Sequence, residues 1–231
     1  MNISVIVPTY NEAESLPVLA ERLFAALQKA GLEAELVVVD DSSPDGTGDI
    51  AEGLARQYPV QVLHRPPKSG LASAVWDGMA RARGHILVVM DADLSHPPEV
   101  VPQLIQAVAS GAADLAVGSR YVPGGGVTNW PWLRRFASWF ANQLARPLVP
   151  MRDATSGFFA LQREVVQDVA LDPIGFKIGL EVMAKGRYRQ FREVPYTFTD
   201  RRYGQSKFGV TEVRHYVRQL GRLIRYRRKN P

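Results

Sequence analysis

Five short apolar runs, ISVIV (3–7), ELVVVD (35–40), VQVLH (60–64), HILVVMD (85–91) and ADLAVGS (113–119), alternate in the first half of the chain with amphipathic stretches near 12–30, 47–57, 70–82 and 97–110. Gly31, Gly84 and Gly111 punctuate the ends of three of these stretches, and Pro97 and Pro98 suit the first turn of the fourth. Most of the runs are β-branched and continuously apolar, which is the pattern of strands buried on both faces. Such an order predicts an α/β fold, a mostly parallel sheet flanked by helices. At 231 residues, 46% of them hydrophobic, the chain has the size and composition of one such domain.

Sheets of this kind bind ligands beyond the carboxyl ends of their strands. There the sequence gathers its polar residues, in PTYNE (8–12), DDSSPDGT (40–47) and DADLSHPPE (91–99). No G-x-G-x-x-G follows the first strand, where PTYNEAES stands, and no P-loop occurs, so nicotinamide and P-loop nucleotide sites are set aside. Asp91 and Asp93 close an apolar run with one alanine between them. Side chains at i and i+2 of an extended chain share a face. Strand geometry carried to its tip therefore aims both carboxylates at one point, where a hard divalent cation relieves their repulsion. Asp45 and Gly46 read as a tight PDG turn, and His96, next to Pro97, as a residue that shapes its turn.

The chain has no cysteine, which excludes disulfides, thiolate metal sites and a cysteine nucleophile. The start, MNISVIVPTYNE, lacks the basic-then-apolar order of a signal peptide. No apolar run approaches the roughly 18 residues a membrane span needs. The formal net charge of +5 is uneven: seven Lys or Arg and no acid lie between Arg214 and Pro231, leaving about −2 on the remainder. A tail this basic is a solvated helix face or a contact for a polyanion or an anionic lipid surface.

VIVPTYNE, VVVDDSSPDGT, VVMDADLSHPPE, GSRYVPGGG and DRRYGQSKFG, in that order, resemble the inverting glycosyltransferases of the GT-A fold. Among these they are most similar to the polyprenyl-phosphate sugar transferases of the dolichol-phosphate mannose synthase group, from Ile3 to about Tyr226. The resemblance implies a single GT-A catalytic domain over 1–231: a nucleotide-sugar half (1–119), an acceptor half with a flap loop (120–209), and a basic C-terminal helix (210–231). It implies that Pro8, Tyr10, Glu12, Val38, Asp40 and Asp41 hold the base and ribose of the donor. Asp91, Ala92 and Asp93 match the D-x-D motif, which binds Mg²⁺ or Mn²⁺ on the donor diphosphate. Ser95 stands where some relatives carry a glutamine metal ligand; its shorter hydroxyl leaves direct ligation or a bridging water open. Lys177, Arg201 and Lys207 match basic residues that clamp the diphosphate.

The implied acceptor is a polyprenyl phosphate. Its oxygens are ionised at neutral pH, so arginines are needed more than a general base. Arg120, Arg134 and Ser138 match the family's acceptor-phosphate site, with Asp91, Asp93, Arg120 and Arg134 carrying the catalytic work. Positions 134 and 138 fall on one face if WPWLRRFASWFANQLA is helical, and a guanidinium fork suits phosphate. On the same segment Trp132, Phe136, Trp139 and Phe140 recur at helical spacing. By periodicity alone they form a core-packing stripe; beside a phosphate site they also suit an interfacial helix in the lipid headgroup region. The basic C-terminal helix would add attraction to anionic lipid. Many relatives continue into transmembrane helices, so the chain reads either as a naturally soluble form or as a catalytic domain cut from a longer protein, in both cases expected to be peripheral at the cytoplasmic face of a membrane.

The expected reaction is inverting transfer of mannose from GDP-mannose, a UDP-hexose donor remaining open. A transferase acting on a saccharide hydroxyl would need a catalytic carboxylate; Glu181 in IGLEVMAK is the late candidate, and the Q-x-x-R-W of processive synthases is absent. A nucleic-acid binder would explain the basic tail and the aromatics but not the acids at the strand ends, so no nucleic-acid partner is expected.

Overall fold

Seven strands form one sheet in the order β3-β2-β1-β4-β7-β5-β8 in a computed structural model that describes residues 2–67, 70–172, 177–200 and 210–229, with side chains in the last helix from Arg214 onward. The strands are β1 (Ile3–Thr9), β2 (Glu35–Asp40), β3 (Val60–His64), β4 (Ile86–Val89), β5 (Leu115–Ser119), β7 (Phe159–Gln162) and β8 (Phe191–Pro195). A two-stranded ribbon pairs β6 (Gly126–Val127) with β9 (Thr197–Phe198). The helices are α1 (Ser15–Lys29), α2 (Thr47–Leu54), α3 (Leu71–Arg81), α4 (Val101–Ala109), α5 (Trp132–Ala145), α6 (Ile178–Lys185) and α7 (Val210–Lys229).

Every pairing in the large sheet is parallel except those of β7, which runs antiparallel to β4 on one side and β5 on the other. The fold is therefore the expected α/β sheet, with one reversal that the sequence did not announce. Alternate side chains of one strand feed two separate cores. Val5, Val7, Leu36 and Val38 pack on the face covered by α1 and α4; Ile6, Val37 and Val39 pack on the face covered by α3 and α6. Burial on both faces is why these strands read as unbroken apolar runs. On α3, Gly78 lies so close to β1 that a Cβ would stand 2.5 Å from Ile6 Cγ2, so only a glycine lets the helix sit this low.

The two ends of the sheet differ in kind. At the amino end, Glu35 accepts from Ser4 Oγ, the Arg83 N–H and Gln61 Nε2, and Arg163 donates to the carbonyls of Met79, Ala82 and Gly84. At the carboxyl end, Asp41 Oδ1, Ser95 Oγ and Trp130 Nε1 are buried without a hydrogen-bond partner among the described residues. A buried polar atom left in this condition costs about 1–3 kcal/mol. Such sites concentrate where a ligand completes them.

Candidate functional site

The loops after β1 and β2 are tied to each other. The N–H groups of Asn11, Glu12 and Ala13 donate to Ser43 Oγ, Thr47 Oγ1 and Asp45 Oδ2 at 3.0, 2.9 and 3.0 Å. Asp45 also accepts from Thr47, and Gly46 takes a left-handed φ of 85°, so the PDG segment is the structural turn its composition suggests. Tyr10 and Glu12 lie half-buried on the first loop, and Glu12 Oε2 accepts from Ser15 Oγ at 2.5 Å.

Among the acids, Asp40 and Asp41 part company. Asp40 accepts from Thr9 Oγ1, Ser43 Oγ and the Ser43 N–H, so its carboxylate is spent on holding the loop. Among the described residues Asp41 accepts one bond, from the Gly70 N–H at 2.9 Å, while its Oδ1 stands 3.5 Å from Arg65 Nη1. The Val38 side chain is wholly buried in the apolar layer on the α1 and α4 face, two residues before the strand ends. Pro8 is likewise buried, paired in register with Val39.

The D-x-D stretch corrects another expectation. β4 stops at Val89, so Asp91 and Asp93 lie in a bend beyond the strand and not on its extended tip. The physical reason is a local competitor for the backbone: the Asp91 N–H donates to His96 Nδ1 at 3.0 Å, drawing the chain out of the ladder. Leu94 takes a φ of 62°, and the Ser95 N–H donates to Asp93 Oδ1 at 3.0 Å. Asp91 is partly exposed, Asp93 is buried, and the Ala92 methyl packs in the core. His96 stacks on Phe158 with ring centroids 4.9 Å apart. Burial pushes its pKa down against the pull of Asp91 and Asp93, and an Nδ1 that accepts leaves the ring neutral with its proton on Nε2.

Because β7 is antiparallel, the residues before it arrive at this same end of the sheet. Asp153 receives the Arg120 guanidinium through Nε and Nη2, both at 2.7 Å, and also accepts the Arg120 N–H. Arg120 donates further to Thr155 Oγ1. Burial opposes the charge on Arg120, but the ion pair outweighs it and holds the pKa above its ordinary value. One edge of the Arg120 fork is thus already filled. The Asp153 loop is seated on α6, where a Cβ on Gly179 would lie 2.3 Å from the Ser156 carbonyl oxygen.

Arg134 and Ser138, on α5, face the same region. Arg134 Nη1 donates to both oxygens of Asp200, at 2.8 and 2.9 Å, and Ser138 Oγ accepts from Tyr121 OH at 2.8 Å. The two arginines meet over one ring: Arg134 Cζ stands 4.2 Å and Arg120 Cζ 5.6 Å from the Trp130 centroid. Lys177, just ahead of α6, donates to the Thr155 carbonyl at 3.2 Å. Burial, helped by Arg120, pushes its pKa down to about 8, while Asp153 and Asp91 pull the other way. Arg201 and Lys207 lie outside the described residues.

Glu181 is committed elsewhere. It is buried, accepts from Lys185 Nζ and from the Asp172 N–H, and burial raises its pKa despite Lys185. Both bonds fall on Oε1, and Oε2 is buried without a hydrogen-bond partner among the described residues. Residues that the sequence did not single out, Tyr121, Trp130, Asp153, Thr155 and Asp200, form the frame around the arginines.

The family model described as glycosyl transferase family 2 matches residues 4–170. A dolichol-phosphate mannosyltransferase of Pyrococcus furiosus is 49% identical over 98% of this chain, which spans 64% of that protein's length. A polyprenol monophosphomannose synthase of Mycolicibacterium smegmatis is 43% identical over 96% of this chain and 89% of its own. Among solved structures, glucosyl-3-phosphoglycerate synthase from Mycobacterium tuberculosis, in complex with Mn²⁺, UDP and glucosyl-3-phosphoglycerate, superposes with a TM-score of 0.67 at 21% identity, covering 96% of this chain and 78% of its own.

Proposed function

The chain belongs to glycosyl transferase family 2, a GT-A glycosyltransferase, and from that membership we propose that it transfers mannose from GDP-mannose to a polyprenyl phosphate with inversion. The observation that carries the acceptor assignment is the meeting of Arg120 and Arg134 over Trp130, beside the D-x-D bend. A phosphate monoester is already ionised, so it needs cations and orientation where a hydroxyl would need a base. Names of relatives at 43–49% identity support mannose and an isoprenoid phosphate as substrates.

In this reaction an oxygen of the acceptor phosphate attacks the anomeric carbon, the bond from that carbon to the diphosphate breaks, and GDP leaves with the electron pair. An α-linked donor gives a β-linked lipid phosphate sugar. Arg134 and Arg120 orient the nucleophile, Lys177 neutralises charge on the leaving diphosphate, and Asp41 meets the nucleoside. The D-x-D residues suit a divalent cation: hard oxygens on Asp91 and Asp93, with the buried Ser95 hydroxyl lacking a partner among the described residues. Bound there, Mg²⁺ or Mn²⁺ would offset charge on the diphosphate.

The acceptor is a membrane lipid, and α5 is suited to reach it. Trp132, Phe136, Trp139 and Phe140 are 47–77% exposed, so the stripe that periodicity alone would assign to a core faces outward. Such a face suits the headgroup region of a bilayer, and α7, with seven basic residues from Arg214 on, adds attraction to an anionic cytoplasmic leaflet. Among the described residues no helix is long and apolar enough to cross a membrane.

The test supplies polyprenyl phosphate and Mn²⁺ or Mg²⁺ with radiolabelled GDP-mannose or UDP-glucose in parallel, and measures label entering the organic phase. Label from GDP-mannose that EDTA abolishes is the expected result. Metal-dependent GDP binding without label transfer would refute the phosphate acceptor, and label from UDP-glucose alone would replace the donor.

A further inference from the structure

Trp130 precedes α5 by two residues and is 9% exposed. Its ring is held on several sides: Phe198 meets it edge-on with centroids 5.2 Å apart, and the guanidinium groups of Arg120 and Arg134 both lie over it. Its indole Nε1–H is buried and finds no hydrogen-bond partner among the described residues. An indole nitrogen can only donate. A buried donor kept next to two cations suits an acceptor that is anionic, and it joins Asp41 Oδ1, Ser95 Oγ and Tyr196 OH among the buried polar atoms without a partner among the described residues.

The neighbouring arginines narrow what that acceptor is. Arg120 is anchored by Asp153, which fixes its position and fills one edge of its fork. Arg134 is held by Asp200, a partly exposed carboxylate that another anion can displace. An anion bound to Arg134 would approach the indole over which that arginine lies. The in-plane N–H then adds a short, directed, charge-assisted bond of a kind a flexible arginine does not fix.

Resting on the proposal of a phosphate acceptor, we infer that Trp130 is a specificity-determining residue whose Nε1–H donates to an oxygen of the acceptor phosphate monoester. The indole has two jobs. Its ring packs against the two guanidinium groups that Asp153 and Asp200 hold, and its edge supplies a neutral donor that reads the phosphate without adding charge.

Trp130→Phe keeps a ring under the arginines and removes the donor. The expected result is a rise of about tenfold in the KM for polyprenyl phosphate, with GDP affinity and melting temperature unchanged. Arg134→Ala is run beside it. A Trp130→Phe KM within twofold of the parent, while Arg134→Ala raises it strongly, would overturn the indole bond and leave the acceptor site standing. If neither variant moves the acceptor KM, the phosphate-acceptor assignment itself fails and the inference falls with it. A measurement on the unmodified protein guards against a folding defect. The chain has four tryptophans, and titration with a short-chain isoprenyl phosphate should move the Trp130 indole N–H signal downfield in a ¹H–¹⁵N spectrum, the signal assigned by elimination using phenylalanine variants of Trp132 and Trp139 as well. A Trp130 signal unmoved at saturation would overturn the inference.

Discussion

Asp200 holds Arg134 through both of its carboxylate oxygens, at 2.8 and 2.9 Å, so the most exchangeable cation of the acceptor site already carries an anion. The incoming phosphate must displace that carboxylate. Asp200→Asn removes the competitor, and the KM for polyprenyl phosphate should fall. Both partners are partly exposed, and pairs of this sort contribute about 1 kcal/mol at most, so the decrease should be about two- to fivefold. Initial-rate kinetics at saturating GDP-mannose measure it; a rise in KM would mean that Asp200 assists binding.

Asp91→Asn and Asp93→Asn should each lower transfer by roughly 100-fold or more, since a catalytic cation contributes several kcal/mol of charge stabilisation. The fold should persist, because an asparagine oxygen can still accept the Ser95 N–H that Asp93 accepts now. The check pairs transfer activity with a thermal melt and with GDP binding in the presence and absence of Mn²⁺.

Lys177 predicts a pH dependence. Its pKa in the fold, about 8, lies below that of a free lysine. Its ammonium is therefore present below about pH 8 and lost as pH rises through that value, more than two units before an ordinary lysine would lose it. The affinity for GDP should weaken across that range. Lys177→Arg, which does not deprotonate there, should flatten the profile, and calorimetric titration with GDP from pH 6.5 to 9.5 reads both curves.

Asp153→Ala should act first on stability. It leaves the buried Arg120 cation without its partner, a change that typically costs about 3–5 kcal/mol. For a chain of this length that is roughly 6–20 °C in Tm. Calorimetry on parent and variant measures it, and a Tm within 2 °C of the parent would show that Arg120 finds another anion.

Glu181→Gln separates the two acceptor chemistries. With its carboxylate bonded to Lys185 and the Asp172 N–H, Glu181 should be dispensable for transfer to a lipid phosphate. Activity at 25 °C should stay within about twofold of the parent, as for a substitution outside the reacting groups, although the melting temperature drops.

The parts of the site legible in the sequence are those written in local order. Runs buried on both faces announced the parallel strands, and the spacing of Asp91 and Asp93 announced a pair of acids at a strand end. Spacing could not say that His96, five residues on, would take the Asp91 N–H and turn the strand tip into a bend. Nor could it separate Val38, sunk in the core, from Asp40 and Asp41 beyond it. Asp153 carries no motif of its own. Its meeting with Arg120 depends on β7 running against its neighbours, which is tertiary information. The aromatics of 130–140 sort in the opposite sense to their spacing: those in register along α5 are exposed, and Trp130, outside the helix, is buried.

The place of β5 bears on how the protein is made. Its neighbours in the sheet are β7 and β8, both later in the chain. As the polypeptide leaves the ribosome, β1 to β4 can pair with one another, whereas β5 emerges with nothing beside it until residue 159 has followed. An apolar strand with two open edges is a template for unwanted pairing. The wait for β7 is therefore the most aggregation-exposed interval of synthesis, and the same late insertion brings Asp153 to Arg120. Closure of the sheet and assembly of the acceptor site are thus one event.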